Sequence, residues 1–230
     1  LSFALFTATL AIVAFAGPRF VPAAPAGRVA HLVQPALPQT MSYPADWNII
    51  HAVDNAEIDR ISITAAAKQP GLVIWPEVPA PFSLQQAVFS QRAAGIARVS
   101  QSHFLLGVVD WKAEPGNRLG AYNSAALLDP QGRVEFLYDK MHLVPFSEYV
   151  PWRDFFWFAK DLTGLIGEFH RGTEYRVGQL PGGRFGVFIC YEAIFPDEVR
   201  RFVLGGAGLL INISNDGWFG DSSARPQHLA

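Results

Sequence analysis

Short apolar runs alternate with longer amphipathic stretches from residue 29 onward. Residues 29–33 read as a first strand that stops at Gln34-Pro35. From 47 to 68 the period lengthens: Ile50, Val53, Ile58 and Ile61 recur three to five positions apart, which predicts a helix ended by Pro70-Gly71. "GLVIWPEVPAP" is a continuous apolar strand that delivers Glu77 to its carboxyl end. A helix is expected over 83–101 and a strand over "HFLLGVVD". A hairpin follows, with strands 123–128 and 133–138 joined by Asp129-Pro130-Gln131-Gly132, and Lys140 lies just beyond it. Phe185, Val187, Phe188 and Ile189 form another buried strand, bounded by Pro181-Gly182-Gly183 and ending at Cys190. Pro196, Asp197 and Glu198 suit the first turn of a helix that Gly205-Gly206 closes. "AGLLINIS" is one more buried strand. Strands alternating with helices, with one hairpin among them, predict an α/β layered domain.

The stretch "LSFALFTATLAIVAFA" breaks this rhythm, because it carries no charge and has no polar face. Three readings are open: the end of a transmembrane helix that begins before Leu1, the apolar core of a signal peptide, or a buried helix. The first is preferred. It makes 1–17 a truncated membrane helix, 18–28 a Pro/Ala/Gly-rich linker and 29–230 the catalytic domain. Arg19 and Arg28 flank the stretch too thinly to set an orientation.

Composition narrows the function. Half of the 230 residues are hydrophobic and 17% are charged, and the chain is long enough for one large core. A net charge of −2 with no basic run argues against nucleic acid as a partner. A single cysteine excludes a disulfide scaffold and a cysteine-built zinc site. The six histidines pair at no persuasive metal spacing, so neither metal nor organic cofactor is expected.

Glu77, Lys140 and Cys190 stand at the ends of three different predicted strands, where open α/β sheets gather ligands. Singly, each has a bland explanation: a solvated loop charge, or a small buried hydrophobe. Together they form a coherent set. A carboxylate can take a thiol proton, the thiolate can attack an acyl carbonyl, and a lysine with the Tyr191 backbone N–H can hold the oxyanion.

At this point the sequence resembles a known family. "WPE", "YDKMHLVPFSEYVP" and "CYE" resemble the Glu–Lys–Cys triad segments of the nitrilase superfamily. "VQPALPQ", "VPFSEYVP" and "SNDGWFGDSSARPQH" resemble its apolipoprotein N-acyltransferase branch more than its soluble amidases. The resemblance runs over about residues 28–230 and implies a nitrilase-like αββα sandwich preceded by the end of a transmembrane helix. It implies Glu77 as general base, Lys140 as oxyanion lysine, Cys190 as nucleophile and Glu148 as a second required glutamate. Tyr191, Glu192 and Tyr43 are implied as substrate-binding positions, with Tyr43 standing where the family usually has tryptophan. The family continues past the position matching Ala230, so the sequence is read as a piece.

The implied reaction moves an acyl chain from a phospholipid, through a cysteine thioester, to the N-terminal amine of a diacylglyceryl-cysteine lipoprotein precursor. The implied place is the bacterial inner membrane, with the catalytic domain facing the periplasm. Two alternatives stay open: a carbon–nitrogen hydrolase that uses water as acceptor, and a non-catalytic membrane-anchored binding module. Finally, Trp152, Phe155, Phe156, Trp157 and Phe158 crowd one short stretch. Five rings so close cannot share one helix face, and an arm sheltering an acyl-chain pocket is expected there.

Overall fold

The structure, a computed structural model, describes residues 2–20, 28–35, 37, 39, 44, 46–116, 118–151, 169–220 and 222. Tyr43 and the aromatic stretch 152–158 lie outside the described residues.

Two sheets form the centre. The first has five strands in the order β1 (Ala30–Leu32), β2 (Leu72–Ile74), β3 (His103–Glu114), β4 (Arg118–Leu128) and β5 (Val134–Asp139). β1, β2 and β3 are parallel, and the β3–β4 and β4–β5 pairs are antiparallel, so β5 runs in the same direction as β3. The second sheet is β6 (Val177–Leu180), β7 (Gly183–Ile189) and β8 (Leu209–Ile213), with β6–β7 antiparallel and β7–β8 parallel.

Each sheet has its own apolar contacts. Leu72, Ile74, Leu105, Ala125, Leu127 and Phe136 of the first sheet share a core with Phe185, Val187, Ile189, Ile211 and Ile213 of the second. The opposite face of the first sheet, with Val73, Phe104, Leu106 and Val108, packs against α2 (Trp47–Ile50), α3 (Ala52–Lys68) and α4 (Ala87–Ser100). α5 (Pro196–Leu204) lies on the second sheet, where Gly186 leaves room for Phe202: a Cβ at 186 would come within 2.5 Å of the Phe202 Cβ. The αββα layering agrees with the expectation from the sequence.

The elements differ from the expected ones in three places. The helical segment 47–68 is split at His51, and its buried face carries Trp47, Asn55, Ile58, Ser62 and Ala66. Ile50 and Val53, expected inside, are 59% and 82% exposed. The reason is the size of the rings below. Trp75, Phe82 and Phe104 fill the space over the sheet, so α3 approaches with small residues, and Ser62 Oγ accepts a 2.9 Å hydrogen bond from Trp75 Nε1. Second, β3 and β4 form a ribbon that continues well past the expected hairpin. Third, β6 has no apolar signature, because Gly178 and Gln179 interrupt it. Gly178 is required there: the Phe185 ring occupies the place of its Cβ, 2.3 Å away.

α1 (Ser2–Ala16) is a charge-free helix whose large side chains face outward; Phe3 is 82% and Phe15 79% exposed. Fifteen residues span about 22 Å, against roughly 30 Å of bilayer hydrocarbon. Among the described residues no helix is long and apolar enough to cross a membrane.

Candidate active site

The carboxyl ends of β2, β5, β7 and β8 converge, and each contributes one or two polar side chains. Past β2 the chain runs Trp75-Pro76-Glu77 and then turns through Val78, whose φ of +26° is strained for a β-branched residue. Gly107 makes the turn possible. A Cβ there would sit 2.5 Å from both the Pro76 carbonyl oxygen and the Val78 nitrogen, so the backbone carrying Glu77 can lie directly on β3. The far end of the turn is held from the other sheet. Asn215, just past β8, donates its backbone N–H to Glu77 Oε2 at 3.2 Å and its Nδ2 to the Val78 carbonyl at 3.2 Å.

Lys140 follows β5 directly and is 1% exposed. Its Nζ lies 3.0 Å from Glu77 Oε1 and 3.0 Å from Glu148 Oε1. Asn123 of β4 donates Nδ2 to the same two oxygens, at 2.8 and 2.7 Å. Glu148 is fixed in turn by Val144 N–H, which donates to its Oε2 at 2.8 Å. Two buried carboxylates therefore share one ammonium and one amide. Burial works against the Lys140 charge, but Glu77 and Glu148, with Cys190 behind them, outweigh it and raise the lysine pKa.

Cys190 leaves β7 with a φ of +52°, an unusual conformation for a residue with a side chain. The turn places its sulfur against Glu77 and Ser214, both of which hydrogen-bond it. Burial, followed by the negative Glu77, pushes the thiol up to about 12, while Lys140 and Ser214 pull in the other direction. At neutral pH the resting group is thus a thiol, and its proton has a carboxylate to go to. The structure brings together Glu77, Lys140, Glu148 and Cys190, the four positions expected to be catalytic.

The remaining expected positions fall differently. Tyr191 packs its ring edge-on to Phe195 at 5.2 Å and faces His142 at 6.0 Å. Glu192, expected beside the substrate, points inward and is 1% exposed. Its Oε1 accepts from Tyr138 Oη (2.9 Å), Met141 N (2.7 Å) and His142 N (3.1 Å), and its Oε2 accepts from Ile189 N (2.7 Å). With both oxygens committed to internal donors, Glu192 is a tie between the segment after Lys140 and the end of β7. Its burial raises the carboxyl pKa, and the donors partly offset the rise.

Sequence reasoning missed Asn123, Ser214 and Asn215. Each had a faint signal: a polar residue opens the apolar run 123–128, and Ser214-Asn215 closes another.

Known proteins resemble the chain in sequence and in fold. Residues 29–230 match the profile of the carbon-nitrogen hydrolase family. Among curated proteins, the apolipoprotein N-acyltransferase of Geobacter metallireducens is 41% identical over 75% of this chain and 33% of its own length. The protein of that name from Sinorhizobium medicae is 33% identical over 98% of this chain and 43% of its own. The chain thus spans about a third to two fifths of the length of these relatives. Among solved structures, a mutant of the Nesterenkonia AN1 amidase from the nitrilase superfamily superposes with a TM-score of 0.56 at 22% identity, over 83% of this chain and 66% of that one. A carbon-nitrogen hydrolase from Helicobacter pylori G27 gives a TM-score of 0.56 at 16% identity, over 88% of this chain and 65% of that one. The profile match over residues 29–230 shows that this chain belongs to the carbon–nitrogen hydrolase family, and the fold, with its cysteine at a strained strand end beside a glutamate and a lysine, agrees with it.

Proposed function

We propose that this chain is the catalytic portion of a membrane-bound N-acyltransferase that works by a ping-pong route. The observation that carries the reading is the thiol of Cys190 held against Glu77, with Lys140 fixed beside them by two carboxylates. Glu77 takes the thiol proton as sulfur attacks the ester carbonyl of a phospholipid, and the carbonyl electron pair moves to oxygen. Lys140 and the Tyr191 backbone N–H hold that oxyanion. As the oxyanion collapses, Glu77 returns the proton to the departing alkoxide, releasing lysophospholipid and leaving a Cys190 thioester. An amine then attacks the thioester, Glu77 takes its proton, and the thiolate leaves.

The curated relatives' name, apolipoprotein N-acyltransferase, supports an apolipoprotein amine as acyl acceptor, and the acceptor proposed is the N-terminal amine of a diacylglyceryl-cysteine lipoprotein precursor. The proposed place is the bacterial inner membrane, with this domain on the periplasmic side. The apolar surface of α1 suits residence at or in that membrane. Glu148 serves as the second counter-charge that keeps Lys140 protonated and aimed, and Tyr43 would line the acyl pocket.

The competing acceptor is water, and the fold neighbours that are amidases give it weight. Full-length protein in phospholipid vesicles should N-acylate a synthetic diacylglyceryl-cysteine peptide faster than it hydrolyses phospholipid when no peptide is present. Release of ammonia from simple amides, with no acylated peptide, would assign the chain to the hydrolases instead.

A further inference from the structure

β7 and β8 run parallel with Ile189 registered against Ile213, so the next residue on each strand leaves the sheet beside its neighbour. Those residues are Cys190 and Ser214. The pairing is reinforced across the strand ends, where Asn212 Nδ2 donates to the carbonyls of Phe188 (3.2 Å) and Cys190 (3.4 Å). Ser214 reaches two acceptors: its hydroxyl donates to Asp216 Oδ1 at 3.1 Å, and it also hydrogen-bonds the Cys190 sulfur. A serine has one O–H proton. It can therefore serve only one of these acceptors at a time, and which one it serves depends on where the negative charge lies.

We propose that Ser214 is a further catalytic residue, a switchable hydrogen-bond donor to the Cys190 sulfur. In the resting enzyme the sulfur is a neutral thiol whose proton faces Glu77, and Ser214 gives its O–H to the Asp216 carboxylate. As Glu77 takes the thiol proton, charge appears on sulfur and the hydroxyl turns to donate to it. When the S–C bond forms, the sulfur loses its charge and the hydroxyl returns to Asp216. The same cycle runs again as the thioester breaks and the electron pair of the S–C bond returns to sulfur. The Ser214 proton stays on its oxygen throughout, so no co-reactant is needed. The other charged groups around the sulfur are Glu77 from the end of β2 and Lys140 from the end of β5, with Glu148 beyond the ammonium. Of these only Lys140 opposes the build-up of negative charge, and it is already shared between two carboxylates.

The inference rests on the acyl-transfer reading for its second half-cycle, but its test does not. Alkylation of Cys190 by iodoacetamide, followed on the Cys190 peptide of full-length protein by mass spectrometry, reports thiolate formation whatever the acceptor. In wild type the rate should climb about tenfold per pH unit from 7 to 10 with no plateau. Ser214→Ala should slow alkylation about tenfold or more at every pH in that range, and Ser214→Thr, which keeps the hydroxyl, should restore it. Asp216→Asn should act in the opposite sense, raising the rate about two- to fivefold, because a weaker competitor frees the hydroxyl for sulfur. Loss of packing alone would expose the sulfur and speed alkylation in both Ser214→Ala and Asp216→Asn. Wild-type or faster alkylation in Ser214→Ala, or a change of the same sign in both variants, would overturn the proposal. A phospholipid-derived adduct on wild-type Cys190 would still form in that case, so the two readings fail separately.

Discussion

Lys140→Met is expected to abolish acyl transfer, by at least about a thousandfold, and to destabilise the domain by about 3–5 kcal/mol near neutral pH. Both effects come from one geometry. Glu77 and Glu148 present their Oε1 atoms to the same ammonium at 3.0 Å, and Asn123 alone cannot neutralise them. Removing one partner from a buried charge cluster leaves the others uncompensated, which costs more than the intact cluster contributes.

The pH dependence gives the test a sign. In the native protein the lysine pKa is raised, so its stabilisation is complete below the unfolded-state value of roughly 10.4 and is lost only as pH rises through the still higher folded value. In the variant, two buried carboxylates face each other without a cation, and their mutual repulsion weakens as the solution is acidified. The thermal midpoint deficit of Lys140→Met should shrink on going from pH 8 to pH 5, and Lys140→Met/Glu148→Gln should recover part of the stability and none of the activity. A variant within about 1 kcal/mol of wild type would mean that the cluster does not hold the site together.

Glu192→Ala should be nearly as severe, because both Glu192 oxygens are committed to internal donors. The substitution strands the N–H groups of Ile189, Met141 and His142 and the hydroxyl of Tyr138 in a buried space. Each stranded donor costs about 1–3 kcal/mol, so a loss of at least about 3–5 kcal/mol is expected after relaxation. Glu192 joins the segment after Lys140 to the strand before Cys190, so the variant should also lose most of its activity through misplacement of both groups. Glu192→Gln keeps one acceptor oxygen but presents N–H groups to Ile189 or to Met141, and should fall between the two. Thermal unfolding and vesicle-based acyl transfer of full-length protein measure this. Full activity in Glu192→Ala would mean that this buried carboxylate does not hold the two segments in place.

Much of the catalytic frame was legible in the sequence because it is carried by local signals. Apolar runs bounded by Pro and Gly located β2, β7 and β8, and the residues at their ends were then chemical candidates by position alone. Lys140 could be read the same way after the hairpin. What could not be read was orientation. Nothing local distinguishes Glu192, whose carboxylate turns inward to four donors, from Glu148, whose carboxylate turns toward Lys140. Glu192 follows β7 by three residues and Glu148 follows β5 by nine, each in a loop or tight turn. Asn123, Ser214 and Asn215 were missed because their roles depend on partners far along the chain; Asn215 is 138 positions from Glu77. The buried face of α3 was misjudged for a related reason. Periodicity gives the existence of an apolar stripe, but the rings of Trp75, Phe82 and Phe104 decided which stripe fits. β6 had no pattern to read, since Gly178 is there to make room for Phe185.

The central claim is that Cys190 becomes acylated by a phospholipid. The most direct measurement is the intact mass of full-length protein after brief incubation with one defined phospholipid and no amine acceptor. The account predicts a gain of one acyl chain that hydroxylamine removes, located on Cys190 and absent from Cys190→Ala. A folded protein that gains no such adduct, while Cys190→Ala retains whatever function the wild type has, would contradict it.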